Sequence, residues 1–301
     1  MQLNYAKNIW YNGRLVPWNK AQTHVFSHGL NVSGSVFEGI RIYNGQPFYL
    51  REHLVRLFKS AELIGFKISY QLEVIEDAIT ELIDMEHIKT GYVRPLAWVA
   101  NQTPAVFCNN SDVSVAIIVL DLKSPFTEKE IASGLSLETS TFIRPAFNMS
   151  LWQSKASAHY ITSCGAIRVA KSHGYDDALI LDSRGYVTES SGSNIFMVKE
   201  DVLYTPTPDC FLNGITRQII IKLAKEIGLP VVEKHITPKE LMSADEIFLT
   251  GTAYEIIGVR QIDGVMFCRG KTMNSLQTAF NDLTRTLSLR KEHGVLHGSE
   301  K

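Results

Sequence analysis

Two Asn-Gly pairs in the first fifty residues restrict the fold more than any other feature of the chain. Asn12-Gly13 lies between Ile9-Trp-Tyr11 and Arg14-Leu-Val16, and Asn44-Gly45 lies between Ile40-Arg-Ile-Tyr43 and Gln46-Pro-Phe-Tyr49. A two-residue Asn-Gly loop supplies the positive φ angles of a type I′ turn, so each pair predicts a β-hairpin. Parallel strands need helical crossovers instead, so early hairpins argue against a doubly wound parallel sheet.

Helices and strands then mix without a βαβ rhythm. Leu54, Leu57, Phe58, Ala61 and Ile64 share one stripe of a helix over 51–64, and Leu72, Ile75, Ile79, Leu82 and Ile83 mark a second helix. Strands are expected at 92–100 and 113–122, the latter nearly all apolar and so buried on both faces. Residues 122–130 carry a proline and several charges and read as a linker. Beyond it, strands at 135–142, 178–181, 194–198, 202–204 and 246–249 interleave with helices at 160–171, 216–227 and 273–289. Thr237-Pro-Lys-Glu240 reads as a capping box, and 291–301 is expected to fray. The predicted class is α+β in two units, 1–122 and 134–301, joined by a linker at 123–133.

Bulk composition removes several function classes. The 301 residues are 45% hydrophobic and 20% charged, with a net charge of -1, so no global field draws the chain to nucleic acid or to an anionic membrane. No apolar run reaches the roughly 20 residues of a membrane-spanning helix, and the first ten residues lack a signal-peptide apolar region. Cys108, Cys164, Cys210 and Cys268 are scattered, which predicts buried or half-buried reduced thiols in a cytoplasmic protein. His24, His28, His53 and His87 show no metal-ligand spacing.

The candidate chemistry centres on 148–198. Lys155 lies among Leu151, Trp152, Ala156 and Ala158, with Tyr160 five positions on. Burial favours the neutral amine that imine chemistry needs; the plain alternative is a solvated surface lysine. Glu189 falls in a loop of small hydroxyl residues between two strand-like runs, and is either a functional acid or a turn carboxylate. Gly214-Ile-Thr-Arg217 opens a helix, where unpaired N–H groups suit a phosphate, or are simply capped. Gly251-Thr-Ala253 offers a second set of donors. Arg56 and Arg94 are either anion forks or structural ion pairs. No nucleotide-binding glycine pattern is present.

Taken in order, Ser35-Val-Phe-Glu-Gly-Ile-Arg41, Arg51-Glu-His-Leu-Val-Arg-Leu57, Tyr92-Val-Arg-Pro95, Gly185-Tyr-Val-Thr-Glu-Ser-Ser-Gly-Ser-Asn-Ile-Phe196 and Gly214-Ile-Thr-Arg217 resemble the class IV (fold type IV) aminotransferases that depend on pyridoxal 5′-phosphate (PLP), specifically the branched-chain amino acid aminotransferases. The resemblance runs nearly end to end. It implies a small N-terminal α/β domain and a larger C-terminal pseudo-barrel domain. It implies that Lys155 forms the Schiff base, that Tyr160 bonds the cofactor phenolate oxygen and that Glu189 pairs with the pyridine nitrogen. Arg56, Ile215, Thr216 and Thr252 would hold the phosphate, with Gly192 also in the cofactor set. Phe37, Gly39, Tyr92, Arg94, Thr252 and Ala253 would line the substrate pocket. The implied reaction exchanges the amino group of leucine, isoleucine or valine with 2-oxoglutarate, in a homodimer or larger homo-oligomer with no nucleic acid, membrane or metal.

The chain departs from the family at Val32-Ser33, at His159 and in the linker, all where side-chain specificity is set. These departures leave a D-amino acid or (R)-amine transaminase, or an aminodeoxychorismate lyase, as the alternative. Arg94 is followed by Pro95-Leu96, unlike the Arg-x-His arrangement associated with D-amino acid enzymes. A catalytically dead PLP-binding or interaction protein fits poorly, because the lysine, glutamate, tyrosine and phosphate-site residues are all present.

Overall fold

Both Asn-Gly pairs turn as expected. Asn12 and Gly13 adopt φ of 49° and 86°, and Asn44 and Gly45 adopt 50° and 77°. The hairpins they close, Asn8–Tyr11 with Arg14–Pro17 and Ile40–Tyr43 with Gln46–Pro47, belong to the first of two sheets in the computed structural model, which describes residues 4–107, 109 and 112–290.

Among the described residues, the first sheet runs Arg14–Pro17, Asn8–Tyr11, Val113–Asp121, Gly91–Val99, Ile40–Tyr43, Gln46–Pro47, and every pairing in it is antiparallel. Two short strands join its flanks: Asn4–Tyr5 on Val113–Asp121, and Ser35–Phe37 on Gly91–Val99. Helices Leu50–Leu63 and Leu72–Met85 pack on this sheet through the apolar stripes read from the sequence. Leu54, Leu57, Ile75, Ile79 and Leu82 are fully buried against Ile40, Ile42, Val93 and Ile117.

The second sheet is mixed. Its order is Val187–Ser190, Asp177–Leu181, Leu135–Thr139, Glu255–Ile262, Glu246–Gly251, Asn194–Lys199, Val202–Pro206, Val231–Lys234. Val187–Ser190 also pairs with Asn194–Lys199, which closes six of these strands into a ring. Leu135, Leu137, Leu179, Ile195, Leu249 and Val259 form a core of this barrel-like sheet. Helices Ile215–Glu226 and Lys271–Arg290 cover its outer face, where Phe196 and Phe248 stack with centroids 5.2 Å apart. The architecture is α+β, as expected from the hairpins and irregular rhythm.

The two sheets meet through polar contacts. Tyr43 Oη donates to Glu255 Oε1 at 2.7 Å, and Arg41 Nε lies 3.4 Å from the same oxygen. Arg41 also donates to the carbonyls of Leu122 and Lys123, fixing where the chain leaves the first sheet.

Several expectations are corrected. The 123–133 stretch is not irregular throughout: Glu128–Ser133 is a helix, capped reciprocally by Thr127 and Glu130. The strand expected over 135–142 ends at Thr139, because the Phe142 N–H turns back to Ser140 Oγ at 2.9 Å. Glu189 lies within a strand, Val187–Ser190, and not in a loop; its hydroxyl neighbours disguise a buried strand. Glu255–Ile262 is a further strand, absent from the sequence-based expectations, with Gly258 interrupting its apolar run. Cys164 and Cys268 are exposed, against expectation, while Cys210 is buried. Cys108 and 291–301 lie outside the described residues.

Phe248 supports the strand that leads into Thr250 and Thr252. Phe248→Ala should destabilise the protein by about 3–5 kcal/mol, the usual cost of removing a fully buried aromatic ring, measured by urea unfolding of the apoprotein.

Candidate active site

The segment carrying Lys155 is held by the first sheet and its helix. The Phe37 N–H donates to the Lys155 carbonyl at 3.2 Å, and the Lys155 N–H donates to Ser60 Oγ at 2.9 Å. His159, one of the atypical positions, is accommodated without disruption. Its Nε2 lies 3.0 Å from the Leu151 carbonyl, which can only accept, so Nε2 carries the proton and staples the loop that carries Lys155. Burial keeps the His159 ring below the usual histidine pKa.

Lys155 Nζ donates to Tyr160 Oη at 2.8 Å and sits 5.1 Å from the Phe37 ring centre. The local neighbours predicted to bury the lysine do not all do so: Leu151 is half exposed and Ala158 exposed, while Ala156 is buried. Shielding comes instead from Phe37, whose ring packs on Tyr160 at 4.9 Å.

Glu189 lies across the same cavity. Burial pushes its carboxyl above the usual carboxylate range, against the pull of Arg144 and Lys155. Arg144 Nη2 is 3.0 Å from Glu189 Oε1, and Asn194 Nδ2 donates to Oε2 at 3.4 Å. Arg144 was missed by sequence reasoning; its only signal is a lone arginine before Pro145 in an apolar stretch.

A third group of residues is suited to an anion. Ile215 and Thr216 begin a twelve-residue helix, whose first N–H groups have no helical partners. Its N-cap must be glycine: a Cβ on Gly214 would stand 2.2 Å from Asn194 Oδ1, which accepts the Gly214 N–H. Arg56 Nη1 and Thr250 Oγ1 are buried at this wall without hydrogen-bond partners. Arg217, by contrast, is structural: it bonds Thr205, Asn213, the Pro206 carbonyl and Glu233, away from the cavity.

Arg56, Lys155, Tyr160, Glu189, Gly192, Ile215, Thr216 and Thr252 line one cavity. Of the five other predicted substrate residues, four cluster beside it. Arg94 lies 4.5 Å over the Phe37 ring and donates to Tyr92 Oη at 3.1 Å, and Gly39 abuts Tyr92. Ala253 does not line the cavity. Asp182, Asp209 and Cys210 place three potential metal-ligand atoms within 4.8 Å, but Arg184 already bridges both carboxylates.

A lysine amine beside a phenol, an acid buried opposite and a pocket of unpartnered donors between them suit an anionic cofactor with an aldehyde and a ring nitrogen. A family model for amino-transferase class IV matches residues 35–262. The chain belongs to the class IV aminotransferases. Among its relatives, the probable branched-chain-amino-acid aminotransferase of Rickettsia bellii is 40% identical over 98% of this chain and 99% of that protein. The solved structure of the Escherichia coli branched-chain amino acid aminotransferase has a TM-score of 0.90 at 36% identity, covering 93% of this chain and 95% of that one. An aminotransferase of Brucella abortus, solved bound to the cofactor PLP, gives a TM-score of 0.86 at 26% identity, covering 93% and 99%. The family expected from the sequence motifs is therefore the right one, and PLP is its cofactor.

Gly39 gives a direct test of the Phe37–Arg94–Tyr92 cluster. A Cβ at this position would stand 1.7 Å from Tyr92 Oη, so Gly39→Ala must displace the tyrosine and its bond from Arg94. The expected result is a loss of about tenfold or more in kcat/KM, in line with misplacement of groups that orient a substrate, with thermal stability of the apoprotein changed far less.

Proposed function

We propose that this enzyme uses PLP to move amino groups between branched-chain L-amino acids (leucine, isoleucine, valine) and 2-oxoglutarate, yielding the 2-oxo acids and L-glutamate. The observation that carries the reading is the placement of Lys155, Tyr160 and Glu189 around one cavity with unpartnered anion donors at its wall. The relatives' names support the substrate class.

In this reading Lys155 holds the cofactor aldehyde, and Arg56, Ile215, Thr216 and Thr252 hold its phosphate, the last three partly through backbone N–H groups. When bound, PLP supplies an electron sink for charge developing at the substrate Cα. Lys155 Nζ takes the Cα proton as base and returns it as acid, with Tyr160 Oη 2.8 Å away to orient the amine. Glu189, as an ionised carboxylate, would keep a proton on the ring nitrogen; burial works against that charged form, and the neighbouring cations Arg144 and Lys155 favour it. Phe37, Gly39, Tyr92 and Thr252 would seat the aliphatic side chain. Arg94, stacked on Phe37, would meet the second carboxylate of the acidic co-substrate.

A homodimer or larger assembly belongs to the same reading. Phe147, Met149, Leu151 and Ile161, flanking the lysine segment, are 69%, 72%, 50% and 77% exposed, more apolar surface than a lone subunit readily leaves in water. Two domains, 1–122 and 134–301, joined by the 123–133 connection, and a cytoplasmic location complete it.

Lys155→Ala should abolish the near-visible absorbance of bound PLP and lower turnover of L-leucine with 2-oxoglutarate by at least about 10³-fold; retention of both would sink the proposal. Preference for D-alanine over L-leucine would move the enzyme to the D-amino acid branch of the fold. Glu189→Gln cannot hold a pyridinium and should cost about 10²-fold or more in kcat while PLP still binds. The folded chain binds the Glu189 proton more tightly than the unfolded chain, so this group's stabilising contribution fades as pH rises through its folded pKa. The Gln variant should therefore be at least as stable as the parent at pH 7, in a melting comparison of the apoproteins.

A further inference from the structure

Glu38 lies between two residues of the substrate cluster, Phe37 and Gly39, yet its side chain goes elsewhere. It is completely buried and densely bonded. Oε1 accepts from Arg56 Nε at 2.6 Å, and Oε2 accepts from Arg56 Nη2 at 3.0 Å and from the Gly39 N–H at 3.1 Å. His53 Nδ1 lies 2.7 Å from Oε2 and, facing an acceptor, carries the proton. Burial holds the His53 ring below the usual histidine pKa, so Arg56 is the cation that balances Glu38.

These contacts use one edge of the guanidinium, Nε and Nη2. The remaining nitrogen, Nη1, is buried and has no partner, and Arg56 lines the cavity shared with Lys155, Thr216 and Thr252. A buried ion pair adds little net stability over apolar residues of the same size. An ion pair serving stability alone has no reason to leave one buried donor unmet at a cavity wall.

We propose that Glu38 is a positioning residue: its carboxylate clamps one edge of Arg56 so that Nη1 faces the cofactor phosphate. His53 fixes the outer oxygen of that clamp. The inference rests on the proposed phosphate role of Arg56. It adds a physical link within Phe37-Glu-Gly39, whose flanking residues meet the substrate while its centre holds the anion fork. An arginine free to swing would spend part of its time away from the phosphate, and the clamp removes that loss.

The test compares PLP with pyridoxal, which carries the same aldehyde and ring but no phosphate. Each is titrated into the full-length apoprotein and followed by absorbance and by quenching of tryptophan fluorescence. Glu38→Gln should weaken PLP binding at least about tenfold and pyridoxal binding by less than about twofold, because only PLP presents a phosphate to the displaced fork. Glu38→Asp keeps the buried charge, and with it the fold should the Gln variant not fold. It should show a smaller loss with the same selectivity. In an Arg56→Gln background, Glu38→Gln should add no further phosphate-selective loss. Equal weakening of both ligands, or of neither, overturns the positioning role. If Arg56→Gln itself leaves PLP affinity unchanged, the phosphate role of Arg56 fails, and the inference with it. If Arg56→Gln weakens PLP and neither Glu38 variant does, only the inference fails.

Discussion

Two backbone hydrogen bonds at Lys155 hold the site together. Its carbonyl is bound by the N–H of Phe37, on a strand of the first sheet, and its N–H is bound to Ser60 on the helix of that sheet. The lysine thus follows the second sheet's connection in sequence but is registered against the first in space. The same helix, Leu50–Leu63, carries Arg56 and His53. One rigid rod therefore sets the distance between the anion wall and the amine. Its own position is set by Leu54 and Leu57, which are buried without trace of exposure. Packing of this kind is stiff, so a pocket built on it is pre-formed rather than assembled by the ligand.

The second sheet supplies the rest of the cavity in a different way. Glu189 is presented by a strand in the closed ring of the second sheet, and the helix N-terminus at Ile215–Thr216 stands on the outer face of that sheet. A carboxylate in a sheet interior needs partners, and Arg144 and Asn194 supply them. Asn194 also accepts the Gly214 N–H and so ties the acid wall to the anion wall. The electrostatics follow from this layout: burial raises the Glu189 carboxyl, whereas burial at Glu38 is outweighed by Arg56 and His53, which hold that carboxyl far below the usual range. Two buried glutamates in one site are thereby driven in opposite directions by their neighbours.

Much of the site is legible in the sequence because its parts are short motifs whose chemistry is local. Gly214-Ile-Thr216 reads as a helix N-terminus and is one. Lys155 and Tyr160, five residues apart, read as two groups of one cofactor site, and in the fold their side chains meet at 2.8 Å. The misreadings have physical reasons. Ser and Thr favour turns and so suggest a loop at Glu189, yet closure of the sheet overrides that preference. Leu151 and Ala158 flank the lysine in sequence, but neighbours in an irregular segment need not be spatial shields. Arg144 and Glu38 escape notice because a lone charge in an apolar stretch carries no pattern; its meaning lies in a partner elsewhere in the chain.

From the chain alone came most of the elements, the turns and the candidate reactive groups, since each depends on periodicity, turn stereochemistry or the intrinsic chemistry of a residue type. The α+β class followed from Asn-Gly turns that leave little choice to the backbone. Tertiary structure decided which donors stay unpaired, which carboxylate is raised and which is lowered, and what shields Lys155. Those properties are set by distances between segments that chain order does not bring together, such as Glu38 to Arg56 on one wall and Arg144 to Glu189 on the other, and hydrogen bonding and burial act through space.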